Sequence, residues 1–380
     1  MPLLAFATLL ASLGLGMLVP ALPMLTAGEG PAAQSFLVSL FGVARLVCSL
    51  PAGWLADRLG LRRVAVAGLL LLVAGSALGA LDGDFRILSL ALALQGAGSA
   101  VFATVAMTGL VLLAGPAGRA RAMTLFQAAL LLAFSIGPMI GGVLIGAFGV
   151  RAPFLSQALC AALALTLVPQ LPAHAGAPIR RGGQGGRVLT PGLVGGMAMA
   201  FAAFSVRITV PWVVAPAFAI GVLHLSAERL GLIVGVGTLV NLAILPINTR
   251  LIGAYGATAA LGVSVVTTAA GIVLGLVPSE PALWGSIALI MAGTGALLPS
   301  AGVLVLEGSA PEQTGRTMGL FRTCGDIGMA AGPVLVAAIA SRLGTEPANA
   351  YLVSLGLLGV CAAVLLASRL GPFRPAAVGG

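Results

Sequence analysis

Four charged residues stand inside otherwise apolar stretches: Arg45 in "LFGVARLVCSL", Arg207 in "AFSVRITVPW", and Arg322 with Asp326 in "FRTCGDIGMAAGP". A charge at a bilayer centre costs at least about 2.5–3.5 kcal/mol on the gentlest scale, so each needs a partner, a water-filled cavity or a ligand. Arg322 and Asp326 are four residues apart and can share one side of a helix. One reading is a buried pair in which each neutralises the other. The other is that substrate or a proton competes for the pair, with Asp326 as the carboxylate that loads and releases the proton. Three arginines against one carboxylate make the pocket net positive, which favours an anionic or zwitterionic solute over a lipophilic cation. Arg207 reads either as a cavity residue or as a side chain leaning to the far surface. Gln95, Gln127, Asn241 and Ser205 can add neutral hydrogen bonds in the same cavity or act as polar links between helices.

The elements that position these residues follow from composition. Only 8% of the 380 residues are charged and 59% are apolar, too little polar surface to cover a water-soluble globule. A helix needs about 20 mostly apolar residues to cross a hydrocarbon core. Twelve such runs are expected at 3–26, 35–56, 64–81, 87–113, 123–148, 152–171, 193–218, 229–250, 258–278, 282–306, 318–340 and 349–369. None alternates in polarity as a barrel strand would, so the fold class is all-α and polytopic. The first run reads as a membrane helix, with a signal peptide as the alternative. At a rise of about 1.5 Å per residue, Asp326 lies roughly 15 Å from Arg316 and Arg45 roughly 18 Å from Asp57, near the midplane.

The formal charge of +9 is scattered through loops and never interleaved with exposed aromatics, which argues against nucleic acid. Orientation accounts for it. With a cytoplasmic amino terminus, the inner loops hold Arg58, Arg62, Arg63, Arg119, Arg121, Arg180, Arg181, Arg187, Arg250, Arg316, Arg369 and Arg374. The outer loops hold Arg86, Arg151, Arg229 and Arg342. This bias predicts both termini in the cytoplasm of a multi-pass cell-membrane protein.

Other chemistries find little footing. The basic residues are all arginine, so a phosphate-binding loop ending in Gly-Lys-Ser/Thr cannot be written. His174 and His224 both fall in loops and form no two-histidine metal helix, and Cys48, Cys160, Cys324 and Cys361 sit on different spans as free thiols. No enzyme activity, metal or cofactor is expected.

Sliding the chain by 195 residues lays "PAGRARAMTLFQAALLLAFSIGPMIGG" (Pro116 to Gly142) on "PEQTGRTMGLFRTCGDIGMAAGPVLVA" (Pro311 to Ala337), with Pro116, Arg121, Met123, Leu125, Phe126, Gly137 and Pro138 meeting identical residues. Two six-helix bundles, 1–171 and 193–380, joined by a Gly-, Pro- and Arg-rich cytoplasmic linker at 172–192, explain the repeat. Parallel repeats of this kind suit two bundles rocking about a site at their interface.

Three motifs carry a family resemblance. In "GWLADRLGLRR", Gly53, Asp57, Arg58, Gly60, Arg62 and Arg63 match the Gly-x-x-x-Asp-Arg-x-Gly-Arg-Arg loop between helices two and three of the major facilitator superfamily, with Leu61 where an arginine is usual. "SIGPMIGG", with Gly137, Pro138, Gly141 and Gly142, resembles the helix-five motif typical of that family's antiporters, with Ala133 in place of its upstream glycine. "LALQGAGSA" resembles the helix-four motif through Gln95, Gly96 and Gly98, but Leu92 replaces its arginine.

The resemblance implies that Asp57 latches the two bundles at their cytoplasmic rim through charge pairing and a facing helix dipole. Gly53 and Gly60 would give close approach and a tight turn, and the arginines would also anchor the loop in anionic lipid. A purely orienting role for the charges is the alternative. Glu307 is the candidate partner of Arg250 or Arg316, or else a solvated helix end. Gly328, Gly332 and Pro333 repeat the Gly-Pro pattern on helix eleven, shaping the moving interface. The expected function is a monomeric secondary transporter, in the lipid bilayer, of a small anionic or zwitterionic organic solute. Export in exchange for protons leads; uptake or uniport of an anionic metabolite and a non-transporting scaffold are the alternatives.

Overall fold

The computed structural model describes residues 1–29, 32–81, 84–170, 190–307, 314–344 and 347–370. The linker at 172–192 falls almost wholly outside them, as does Arg374.

Among the described residues, twelve helical segments run through the molecule. The first six are α1 (Pro2–Met17), α2 (Ala33–Leu59), α3 (Leu61–Ala80), α4 (Phe85–Ala114), α5 (Leu125–Phe148) and α6 (Ala152–Leu167). The second six are α7 (Pro191–Gly221), α8 (227–255), α9 (257–274), α10 (Glu280–Glu307), α11 (Thr314–Leu343) and α12 (Pro347–Leu370). Most bounds fall within a few residues of the apolar runs. The exception is the first, expected over 3–26. It stops at Met17, and a separate short turn of helix covers Leu22–Leu25. Pro20 and Pro23 lack backbone donors and clash with a preceding turn, so the apolar run outlasts the helix.

Sharp turns set the antiparallel order. Gly60, with φ 87°, ends α2 and opens α3, and Gly256, with φ 82°, breaks α8 from α9. Both angles lie where a Cβ is strained, so glycine is the residue that permits these turns. Asp84 caps α4 by accepting from the Arg86 and Ile87 amides, Thr190 caps α7, and Ser226 caps α8.

One hydrophobic core joins residues of α1 to α6, including Leu4, Leu69, Phe102, Leu110 and Phe126. A second joins α7 and α9 to α12, including Met199, Leu261, Ile290, Leu304 and Tyr351. The contacts between these two cores gather at the end of the molecule opposite Met1, here called the far end. There a Cβ on Gly42 of α2 would lie 2.7 Å from the Ala330 Cα of α11, and one on Gly142 of α5 would lie 2.8 Å from the Glu228 Cα of α8. Gly231 and Gly235 of α8 press on Pro138, Ser135 and Met139 of α5. Val19, in the turn after α1, joins Phe218, Leu230 and Leu283 in one cluster. At the Met1 end, Gly53 on α2, Gly253 on α8 and Gly302 on α10 have nothing within 4 Å of where a Cβ would stand. The two halves are thus packed together at the far end.

Candidate functional site

Close helix approach builds the site. Gly96 of α4 lies against the Phe41 backbone of α2, and one turn nearer the Met1 end Arg45 meets Ser99. The Arg45 Nη1 donates to Ser99 Oγ at 3.2 Å, while the Ser99 hydroxyl donates to the Gly96 carbonyl at 3.0 Å. Arg45 opens onto a small cavity of about 20 Å³, walled also by Ser12 and Leu15 of α1 and Leu130 and Phe134 of α5.

Across the interface, α11 presents Gly325, Gly328 and Gly332 to α7, and Ala330 and Val334 to α2. Arg322 and Asp326 occupy the arc of the helix between those two faces. The charges of Asp326 and Arg322 both act on Arg45. Asp326 is half-buried and Arg322 exposed, and among the described residues neither closes an ion pair within 4.0 Å. The neutralised intrahelical pair is therefore not formed. The charge of Arg45, from the opposite bundle, acts on Asp326 as that of Arg322 does.

Arg207 is half-buried on α7, one turn from a π-helical segment at Val210–Val214 in which the Ala215 amide bonds to the Val210 carbonyl. Such segments mark strained, functional stretches of helix. The next turn carries the interface. Pro216 has no N–H, so the Trp212 carbonyl lacks its usual donor four residues on. Gln34 of α2 supplies one at 2.9 Å, and the Trp212 ring meets Phe134 edge-on at 5.9 Å. The Val334 amide, next to Pro333, donates to Ser39 Oγ of α2 at 3.2 Å.

The remaining residues divide by location. Gln95 is fully buried against Gly75 of α3, a helix on the far side of α4 from α2, so it lies outside the cavity. Gln127 is exposed. Asn241 is buried with its amide packed against Gly295 of α10 and its Nδ2 without a hydrogen-bond partner among the described residues, whereas Ser205 donates to the Gly328 carbonyl at 3.1 Å and so links α7 to α11. Gly137 and Gly141 let α5 approach α1, and Gly142 lets it approach α8; Gly328 and Gly332 do the same for α11 against α7.

At the Met1 end, the guanidinium of Arg58 lies 3.8 Å from the Trp54 ring centroid, on its own helix. Arg62, Arg63 and Arg250 are exposed. The close approach expected at Gly53 is not made, because this end of α2 has no helix against that face. The side chains of Asp57 and Glu307 lie outside the described residues.

Gln34, Ser39, Ser12 and Ser99 went unread in the sequence because single hydroxyls and amides are common in membrane helices. A buried link, in which Asn248 donates to the Ala296 carbonyl at 3.0 Å and exchanges hydrogen bonds with Ser300 at 3.2 Å, is a further case.

Comparisons with known proteins agree with this architecture. The chain is 30% identical over 172 residues to the inner membrane transport protein YajR of Escherichia coli, covering 43% of this chain and 37% of that one. It is 28% identical over 174 residues to the multidrug efflux protein YfmO of Bacillus subtilis, covering 44% and 43%. The matched stretches thus span less than half the length of these relatives. In fold, it matches the crystal structure of the nucleoside transporter NupG with a TM-score of 0.79 at 13% identity, covering 96% of this chain and 98% of that one. It matches a bacterial homologue of the lysosomal transporter Spinster, in an inward-facing and unoccupied conformation, at 0.75 and 16% identity, covering 99% and 98%. The Major Facilitator Superfamily model matches twice, over residues 4–212 and 193–378, once for each half, and the chain belongs to that family.

Proposed function

We propose that this protein is a secondary transporter that carries a small anionic or zwitterionic organic solute outward across the cell membrane, in exchange for protons, by rocking one six-helix bundle against the other. The observation that carries the reading is that Arg45 of one bundle and Arg322 and Asp326 of the other stand within reach of each other's charge, next to the closed end. A site assembled from both halves changes its exposure whenever they tilt, which is the requirement of alternating access. The arginine bias supports a cytoplasmic Met1 end, and closure at the far end is then the inward-facing state. Solute entering from the cytoplasm would reach Arg45 and Asp326, and the carboxylate would exchange its proton as the bundles tilt.

The efflux relative and the Gly-Pro-x-x-Gly-Gly stretch at 137–142 favour export. Leu92, buried where the resembling motif has an arginine, favours a second reading, uptake or uniport of an anionic metabolite without protons. Counterflow of organic acids in proteoliposomes separates them. Proton exchange requires flux that collapses with a protonophore and loses its pH dependence in Asp326→Asn. Flux indifferent to both leaves uniport.

A further inference from the structure

A groove of about 290 Å³ runs along the outside of the molecule between α11 and α12. Its wall on α11 is built from Leu335 and Ile339, and its wall on α12 from Val353, Gly356 and Val360, so it is hydrocarbon on both sides. Leu335, Ile339 and Val360 are exposed at 37%, 43% and 63%, and nothing lies within 4 Å of where a Cβ on Gly356 would stand. The groove is open to the membrane.

Each wall ends at the far end in a polar side chain. On α11, Arg342 stands three residues beyond Ile339 and seven beyond Leu335, on the same stripe of the helix; on α12, Asn349 stands four residues before Val353 and seven before Gly356. The Asn349 Nδ2 lies 3.2 Å from where a Cβ on Gly344 would stand, at the turn that closes α11, so the two polar groups share one mouth. Arg342 is exposed, and neither side chain makes a hydrogen bond or ion pair among the described residues. From Asn349 to Val360 the helix rises about 16 Å, close to half of a hydrocarbon core about 30 Å thick. The groove therefore has the depth of one leaflet. A partner's transmembrane helix would call for a face along the full thickness, whereas an acyl chain calls for half.

We infer that this groove binds one anionic phospholipid of the far-end leaflet, with an acyl chain along Leu335, Ile339 and Val353 and the phosphate on Arg342 and Asn349. The guanidinium and the amide offer the N–H donors that a phosphodiester accepts. Hydrocarbon walls alone would hold any lipid; the arginine selects a negative headgroup. Val334, whose amide donates to Ser39 of α2, directly precedes Leu335, so the occupant reaches the stretch of α11 that closes the far end. The inference concerns the outer surface and is independent of which solute is carried.

The test uses the purified full chain in nanodiscs of equal parts phosphatidylglycerol and phosphatidylcholine with identical acyl chains. The protein is released intact into a mass spectrometer, and the lipids it retains are counted. Phosphatidylglycerol is expected to be retained about fivefold or more over phosphatidylcholine, and Arg342→Gln to remove that preference, as the loss of one basic residue beside an anionic headgroup implies. Gly356→Leu fills the groove and lowers retention of both lipids. Arg86→Gln, at an exposed far-end arginine on α4, leaves retention unchanged. Equal retention of the two lipids overturns the inference, as does undiminished phosphatidylglycerol in Arg342→Gln or Gly356→Leu, an equal loss in Arg86→Gln, or a dimer of the chain that covers this face in place of lipid. Arg342→Gln changes one exposed side chain, so it decides the matter should Gly356→Leu not fold.

Discussion

Gln34 of α2 donates its Nε2 hydrogen to the Trp212 carbonyl of α7 across the interface between the two halves, at 2.9 Å. The carbonyl is available because residue 216 is a proline, and the amide on α2 stands where that missing donor would have been. Ser39, one and a half turns along the same helix, accepts from the amide that follows Pro333. Backbone groups set loose by prolines in one half are satisfied by buried side chains of the other.

Removing the first of these bonds should act on one conformation only. In Gln34→Ala the Trp212 carbonyl is buried without a partner while the far end is closed, and is hydrated when it opens. The closed state then loses about 1 kcal/mol or more, so the open population rises roughly fivefold. Spin-label distances between far-end sites on α2 and α11 would report it. An unchanged distribution would mean the bond contributes nothing to closure.

Gly42 should be intolerant for a steric reason. A Cβ there meets the Ala330 backbone at 2.7 Å, and backbone cannot swing aside as a side chain can. Gly42→Val is expected to fold, since each half keeps its own core, but to hold the far end apart and abolish net transport. Faster thiol labelling of a cysteine placed at Ser39 is the readout.

Gly53 offers the contrast. Nothing lies within 4 Å of its missing side chain, so Gly53→Leu should leave the melting temperature of this state unchanged. If the loop that carries it packs against the other half when the Met1 end closes, the same variant will stop flux while binding from the cytoplasmic side persists. Normal flux would remove the gating role proposed for this loop.

The Asn248–Ser300 link tests stability apart from transport. Each interhelical hydrogen bond in a membrane is worth about 0.6–2 kcal/mol. Asn248→Ala should therefore lower the thermal unfolding midpoint by a few degrees, and Ser300→Ala added to it should cost little more, because both remove the same link.

How much of this was legible beforehand varies by residue. Gly60 announced its turn, since a glycine between two apolar runs beside arginines has few other uses. The ends of α2 to α12 followed from run length, whereas the end of α1 did not, because Met17 to Leu25 stays apolar through two prolines. Asp326 and Arg322 stood out by charge, but that the charge of Arg45 acts on Asp326 too was set by the fold, since Arg45 is 277 residues away from Arg322 in the chain. Gln95 could serve either as a cavity residue or as a link between helices, and only the packing of α4 on Gly75 of α3 turns it away from the cavity.

The amino-acid sequence alone determined that the chain lives in lipid, crosses it through helices, repeats itself at a spacing of 195 residues and places rare charges at mid-depth. Each of these is local or additive: a run long enough to span, a residue too costly to bury idly. Which helices face each other, which end is shut and which polar group meets which were decided by tertiary structure. In a water-soluble helix the apolar stripe points to the core, but lipid tails are as apolar as a neighbouring helix, so periodicity says little about which face is covered. Small residues and prolines then set the approach, and a bond such as Gln34 to Trp212 exists only once two helices have met.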